Sequence, residues 1–140
     1  MTDRKFEISA IGRVHHLQNQ VQIEIRPQFG PALEGLDQFS HIWVLYWFHE
    51  NDTPEKRATL KVRPRRNPAN PVTGVFATHS PARPNLIAMT RCRLISVEGL
   101  TLTVDAIDAR EGTPVIDIKS FFPPDLDDEE IHMPPWAHGR

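Results

Sequence analysis

Hydrophobic and polar residues alternate with period two over much of this chain. Side chains of a strand point to opposite faces in turn, so such runs read as half-buried strands. Val21–Arg26 alternates most cleanly, with Val21, Ile23 and Ile25 on one face. Phe6–Leu17 carries β-branched residues in imperfect alternation and reads as a strand before it, joined by the short turn Gln18-Asn19-Gln20 as a hairpin. Ala58–Arg63 alternates again, as do Leu100, Leu102, Val104 and Ala106. Arg91–Val97 is a further strand, and Glu98-Gly99 is the tight turn after it. Phe39–Phe48 is the most apolar segment, rich in aromatic and β-branched residues. It reads as a central strand buried on both faces that delivers His49-Glu50 to solvent at its end. Val75-Phe76-Ala77 reads as a short apolar strand and Val115–Ile118 as a short buried piece. Pro31–Leu36 reads as a helical turn with Leu33 and Leu36 three apart. Short strands at near-regular spacing with few helices predict a mainly β fold, a barrel or a sandwich.

Composition sharpens this picture. The 140 residues suffice for one domain with a real core. Thirteen prolines favour loops and short strands over long helices. From Pro123 onward the chain is proline-rich and acidic, with Asp125 and Asp127-Asp128-Glu129-Glu130. The expected organisation is therefore a domain over 1–122 and an extended C-terminal tail over 123–140. The single cysteine, Cys92, excludes an internal disulfide framework and suits a reducing compartment. With no apolar run of membrane-spanning length and no signal-peptide pattern, the expectation is a cytoplasmic protein without a membrane partner.

Net charge of −2 announces no nucleic-acid partner globally, so any RNA contact needs a local basic patch. The run Lys61-Val62-Arg63-Pro64-Arg65-Arg66 is that candidate, with Arg63, Arg65 and Arg66 as phosphate contacts. Seven histidines show no helical i, i+4 pair, and His15 and His16 would point to opposite faces of a strand, so no metal site is expected. His41, in an apolar setting, reads as a hydrogen-bonded core histidine. Nucleophile-elbow, P-loop and dinucleotide-binding glycine motifs are all missing, which argues against a P-loop nucleotide site and a Rossmann methyltransferase.

One stretch concentrates polar groups between apolar flanks: Thr78, His79, Ser80, Arg83 and Asn85, stiffened by Pro81 and Pro84. A rigid polar loop on a strand scaffold is a frequent place for binding or chemistry. The ordinary alternative is a connector whose hydroxyls only satisfy backbone groups. Other candidates lie at strand ends: His49-Glu50 and Asp105–Asp108.

Gly74-Val-Phe-Ala-Thr-His-Ser-Pro-Ala-Arg-Pro-Asn-Leu-Ile-Ala-Met-Thr90 resembles the signature of the TsaA-like, or TrmO-like, family. Matching blocks are Ile11-Gly12, Gly35-Leu36 with Phe39-Ser40-His41-Ile42-Trp43, and Gly112–Lys119. The resemblance implies a small β-barrel fold and S-adenosyl-L-methionine-dependent methyltransferase activity. It further implies a homodimer with the cofactor close to the subunit interface, and N6-methylation of the threonylcarbamoyl-modified adenosine beside the anticodon of tRNA. Carried over residue by residue, it places cofactor contacts on His49, Glu50, His79, Met89, Asp105, Ala106, Ile107 and Asp108. Arg83 and Asn85 become candidates for orienting the acceptor base. Alternatives are a methyltransferase acting on another RNA or a small molecule, or a non-catalytic cofactor- or RNA-binding module. The chain departs from the pattern where the family has an arginine and this sequence has His79, and where Leu86 and Ala88 replace proline and glycine. The family's P-R-Q-like loop after the first strand is absent, with only His15–Gln20 in its place.

Overall fold

The structure, a computed structural model, describes residues 3–124 and 131–138. Residue contacts divide the chain into two units. The first comprises Met1–Glu50 and Ile87–Phe121, and the second Asn51–Leu86 and Phe122–Arg140.

The first unit is a closed antiparallel barrel of six strands: β1 (Gly12–His16), β2 (Val21–Ile25), β3 (His41–Trp47), β6 (Ile87–Glu98), β7 (Thr101–Val104) and β8 (Pro114–Ser120). Around the barrel the order is β1-β2-β7-β6-β3-β8. Closure removes the exposed strand edges that an open sheet of this size would leave. Inside lie Val14, Ile23, Ile25, Ile42, Val44, Tyr46, Cys92, Leu102, Val104 and Val115, all buried. These are the alternating apolar positions of the sequence, so β1–β2 follow their period-two pattern directly, whereas in β7 Thr103 is buried as well as Leu102 and Val104. The hairpin forms as expected, with His16 opposite Val21 and the Leu17 and Gln20 backbones exchanging hydrogen bonds.

Gly12 has a steric reason. A Cβ there would run into the Glu24 carbonyl oxygen on β2. Extra residues in register, Ile116 of β8 against Leu45 and Tyr46 and Ile95 of β6 against Thr103 and Val104, bend β8 and β6 around the barrel.

Four expectations need correction. The first strand is Gly12–His16; Phe6 and Ile8 are exposed and outside regular structure. Strand β3 is central, between β6 and β8, but is fully buried on one face only. Its outer face, His41, Trp43, Leu45 and Trp47, is half-buried. His41 is thus not a core residue; its Nδ1 meets the Ser40 hydroxyl at 2.8 Å and its ring packs edge-on against Phe121. Finally, Val75–Ala77 is a 3-10 turn, not a strand, and the apolar run Leu86–Met89 leads straight into the twelve-residue β6.

The second unit holds the helical turn α1 (Pro54–Arg57) and a two-stranded ribbon of β4 (Lys61–Val62) and β5 (Thr73–Gly74). Thr53 caps α1 by accepting the Lys56 N–H, and Pro54 starts it. Val75, Leu86 and Pro64 are buried in this unit. Of the C-terminal tail, Pro135–Ala137 forms a 3-10 turn whose carbonyl at Ala137 accepts from Arg65. The acidic cluster at Asp125 and Asp127–Glu130 lies outside the described residues. Among the described residues no helix is long and apolar enough to cross a membrane.

Candidate functional site

The inner face of β3 ends in Tyr46, whose hydroxyl lies within the barrel end. That hydroxyl donates to the Asp108 carbonyl at 2.8 Å, which leaves the Thr90 hydroxyl as donor to it at 2.9 Å. One side chain thereby ties β3, β6 and the connection between β7 and β8. Burial holds the Tyr46 phenol above its usual range, so it stays neutral and a donor. After Trp47 the chain turns through a 3-10 turn at His49–Asn51. There the Glu50 carboxylate accepts from the Arg110 guanidinium at 2.8 Å. His49 Nε2 stands 4.0 Å from the other Glu50 oxygen. His49, Glu50, Asp108 and Arg110 therefore share one end of the barrel.

The β7–β8 connection is fixed along its length. The Asp105 carboxylate accepts the N–H groups of Arg93 and Ala106 through one oxygen. The Ala106 carbonyl accepts the Cys92 thiol at 3.2 Å, and Ile107 packs into the core. Further on, the Ala109 carbonyl accepts from His16 Nε2 at 2.6 Å. Glu111 accepts the His16 N–H at 2.6 Å and the His15 Nδ1–H at 2.8 Å. These hydrogen bonds, the backbone one first, hold the Glu111 carboxyl below its usual range. The connection is therefore clamped to β6 on one side and to the β1–β2 hairpin on the other. His15 and His16 serve as clamps at this position.

The carboxylates at this end differ in what occupies them. Asp105 and Glu111 are engaged by backbone donors. Among the described residues the Asp108 carboxylate has no hydrogen-bond donor, although its backbone is held by Tyr46. A ligand hydroxyl or ammonium could donate to it. Met89 stands on the outer face of β6 opposite Leu45, 49 % exposed, beside the half-buried Trp43 and Trp47 of β3. Cys92 is buried and its thiol is pushed up to about 12 by desolvation, which makes it inert. Among the described residues no group of three His, Cys, Asp or Glu is placed to hold a metal ion.

The remaining candidates belong to the second unit. Its polar loop is tied up largely by its own side chains. Thr78 donates to the Val75 carbonyl and accepts the Ser80 N–H, and Ser80 accepts the Ala82 N–H. Arg83 donates to the Thr78 and Ser80 carbonyls through Nη1. Arg57 donates to the Pro84 carbonyl at 2.9 Å and to the Asn85 side-chain oxygen at 3.3 Å. The hydroxyls thus serve the backbone, and the result is a rigid loop that presents an exposed His79. In the basic run, Arg63 donates to the Asn70 carbonyl at 2.7 Å and Arg65 to the Ala137 and His138 carbonyls. Arg65 and Arg66 both adopt positive φ, 58° and 54°. Among the described residues the Arg66 side chain has no partner.

Sequence reasoning missed Tyr46, Thr90 and Arg110. Arg110 stood out in no sequence pattern. Its pairing with Glu50 spans sixty residues and has no local signal.

A closed antiparallel barrel with a polar site at one end, where β3 meets the β7–β8 connection, defines a class of small β-barrel proteins. Residues 5–128 match the family described as tRNA-methyltransferase O N-terminal domain, and the chain belongs to it. It is 47 % identical over 116 residues to a protein of Pyrococcus horikoshii named as a probable S-adenosyl-L-methionine-binding protein, covering 83 % of this chain and 82 % of that one. It is 43 % identical over 109 residues to the rat tRNA (adenine(37)-N6)-methyltransferase, covering 78 % of this chain and 24 % of the rat protein. Among solved structures, TrmO from Pseudomonas aeruginosa aligns at a TM-score of 0.66 with 31 % identity. That alignment covers 86 % of this chain and 57 % of the TrmO chain, so this chain spans under two thirds of it.

Proposed function

We propose that this protein is an S-adenosyl-L-methionine-dependent methyltransferase that modifies the N6 position of an adenine in tRNA. The observation that carries the reading is the meeting of His49-Glu50 with Asp105–Arg110 at one barrel end, in a member of this family. The residue types suit the cofactor: a carboxylate at Asp108 without a donor among the described residues, a guanidinium at Arg110, an aromatic-lined apolar flank beside Met89. When bound, the cofactor supplies a methyl group on a sulfonium centre already activated for displacement by an amine.

The chain's own residues then have positioning roles. Asp108 accepts hydrogen bonds from ribose hydroxyls or the methionine ammonium. Glu50 and His49 line the same end, and Ile107 and Ala106 hold the segment against the barrel. Met89 offers a polarizable surface on the outer edge. No strong base is needed, because the acceptor amine can release its proton after the methyl arrives. The rate enhancement comes from holding donor and acceptor in line, which clamped segments accomplish and mobile ones do not.

The resemblance points further to the threonylcarbamoyl-modified adenosine beside the anticodon as acceptor, with His79 as a cofactor contact and Arg83 and Asn85 orienting the base. Arg83 would do so as part of a loop that it already stiffens. Of the basic run, Arg66 is the side chain left for a phosphate, while Arg63 and Arg65 shape the loop that carries it. We also place a second copy of the chain against the outer face of β3 and β6. Support comes from the row of Trp43, Leu45, Trp47, Ile87 and Met89, an apolar surface left partly open beside the cofactor residues. The compartment this reading implies is the cytoplasm.

The test is methyl transfer from radiolabelled S-adenosyl-L-methionine to tRNA that carries the threonylcarbamoyl modification, with unmodified transcript in parallel. Label in N6-methylated nucleoside from the modified tRNA alone supports the full reading. Label in neither tRNA removes it.

A further inference from the structure

The charge balance at the barrel end assigns a role to Arg110. Four carboxylates lie there: Glu50, Asp105, Asp108 and Glu111. Among the described residues the permanent cation hydrogen-bonded to one of these four is Arg110, on Glu50. Such a site attracts a sulfonium and an ammonium but repels a carboxylate unless a cation faces it. The methionine end of the cofactor carries all three groups. Asp105 and Glu111 are engaged by backbone N–H groups, so they are not free to turn towards Arg110.

The geometry leaves Arg110 available. It donates through Nη1 to Glu50, yet 79 % of its side-chain surface is exposed. A guanidinium has five N–H donors in a planar fork, and one contact to Glu50 orients the fork while leaving the others open. That fork matches a carboxylate better than any other cationic side chain does. Its neighbours also place it well, two residues after Asp108, whose backbone Tyr46 fixes. At His79, where the family pattern has arginine, this sequence offers only a titratable group in the other unit.

We infer that Arg110 is a cofactor-binding residue whose guanidinium takes the carboxylate of the methionine moiety, with Glu50 orienting it. This assignment rests on the cofactor reading above.

The experiment is calorimetric titration of the full-length protein and of Arg110→Gln with two ligands: S-adenosyl-L-methionine and its decarboxylated analogue. The analogue keeps the sulfonium, adenosine and amine and lacks only the carboxylate. The wild type should prefer the cofactor over the analogue by about 10- to 100-fold, the range for a charge-assisted contact. Arg110→Gln should lose that preference, with affinity for the analogue within about twofold of wild type, because the contact it lost is one the analogue never makes. An unchanged preference in Arg110→Gln overturns the assignment and leaves the cofactor reading standing. An equal loss for both ligands also overturns it, since Arg110 would then act only by bracing Glu50. Absence of binding by the wild type to either ligand overturns the cofactor reading and this assignment with it.

Discussion

Tyr46→Phe is the substitution that most directly tests how the barrel holds its site. The ring stays and only the hydroxyl goes, so core packing is preserved. Tyr46 is 4 % exposed, and its hydroxyl connects the Thr90 side chain to the Asp108 backbone. Removal breaks two hydrogen bonds and leaves a carbonyl and a hydroxyl at the barrel end without their partner. At about 0.5–1.5 kcal/mol for each bond, the expected loss is roughly 1–3 kcal/mol. For a chain of this size that lowers Tm by roughly 3–10 °C. The second consequence is functional. The Asp105–Arg110 connection loses its tie to β3, so Asp108 and Arg110 are less well pre-positioned. Affinity for S-adenosyl-L-methionine should fall by about three- to tenfold, the cost of ordering a loosened segment on binding. Urea denaturation gives the first quantity and titration calorimetry the second. Thr90→Val is the control, because it removes one bond and leaves the link to Asp108. A Tyr46→Phe protein with unchanged urea midpoint and unchanged affinity would refute the reasoning.

Cys92 should resist alkylation at pH 8 in the native protein and react on unfolding. Its thiol is pushed up to about 12, so the thiolate is scarce, and mass spectrometry after iodoacetamide treatment reads this. The same shift favours the folded state fully below the unfolded thiol pKa of about 8.5, and that contribution is lost as pH rises towards 12. Gly12→Ala should cost about 1–3 kcal/mol, seen as a lower urea midpoint, because its methyl meets the Glu24 carbonyl and the two strands must separate. A midpoint equal to wild type would mean that the seam gives way freely. Arg66→Ala should weaken tRNA binding and reduce the slope of log affinity against log salt by about one, while leaving the urea midpoint unchanged. An unaltered slope would remove Arg66 as a phosphate contact.

The alternation of Val21, Ile23 and Ile25 by itself determined which face of β2 would be buried, while in β7 the barrel also buries Thr103 between Leu102 and Val104. In a strand every second side chain shares a face, and burial follows polarity. The hairpin at Gln18–Gln20 and the turn at Gly99 were legible for the same local reason: three residues or fewer must reverse the chain. The motif blocks carried the family, since they are linear patterns. Val75–Ala77 was misread because a three-residue apolar run has no period to distinguish a strand from a 3-10 turn. Strand β3 was read as buried on both faces because apolarity says that a surface avoids water, not what covers it.

Only the closed barrel decided which strand ends meet. His49-Glu50 and Asp105–Asp108 were visible as separate polar strand ends, each unremarkable alone. Their convergence depends on β3 lying between β6 and β8, and on the β7–β8 connection crossing that same end. Strand order is a property of hydrogen bonds between segments far apart in sequence, and no local preference encodes it. The pairing of Glu50 with Arg110 and the tie from Tyr46 to Asp108 are consequences of that closure. So is the division of the carboxylates into those that hold the backbone, Asp105 and Glu111, and Asp108, whose carboxylate has no hydrogen-bond donor among the described residues.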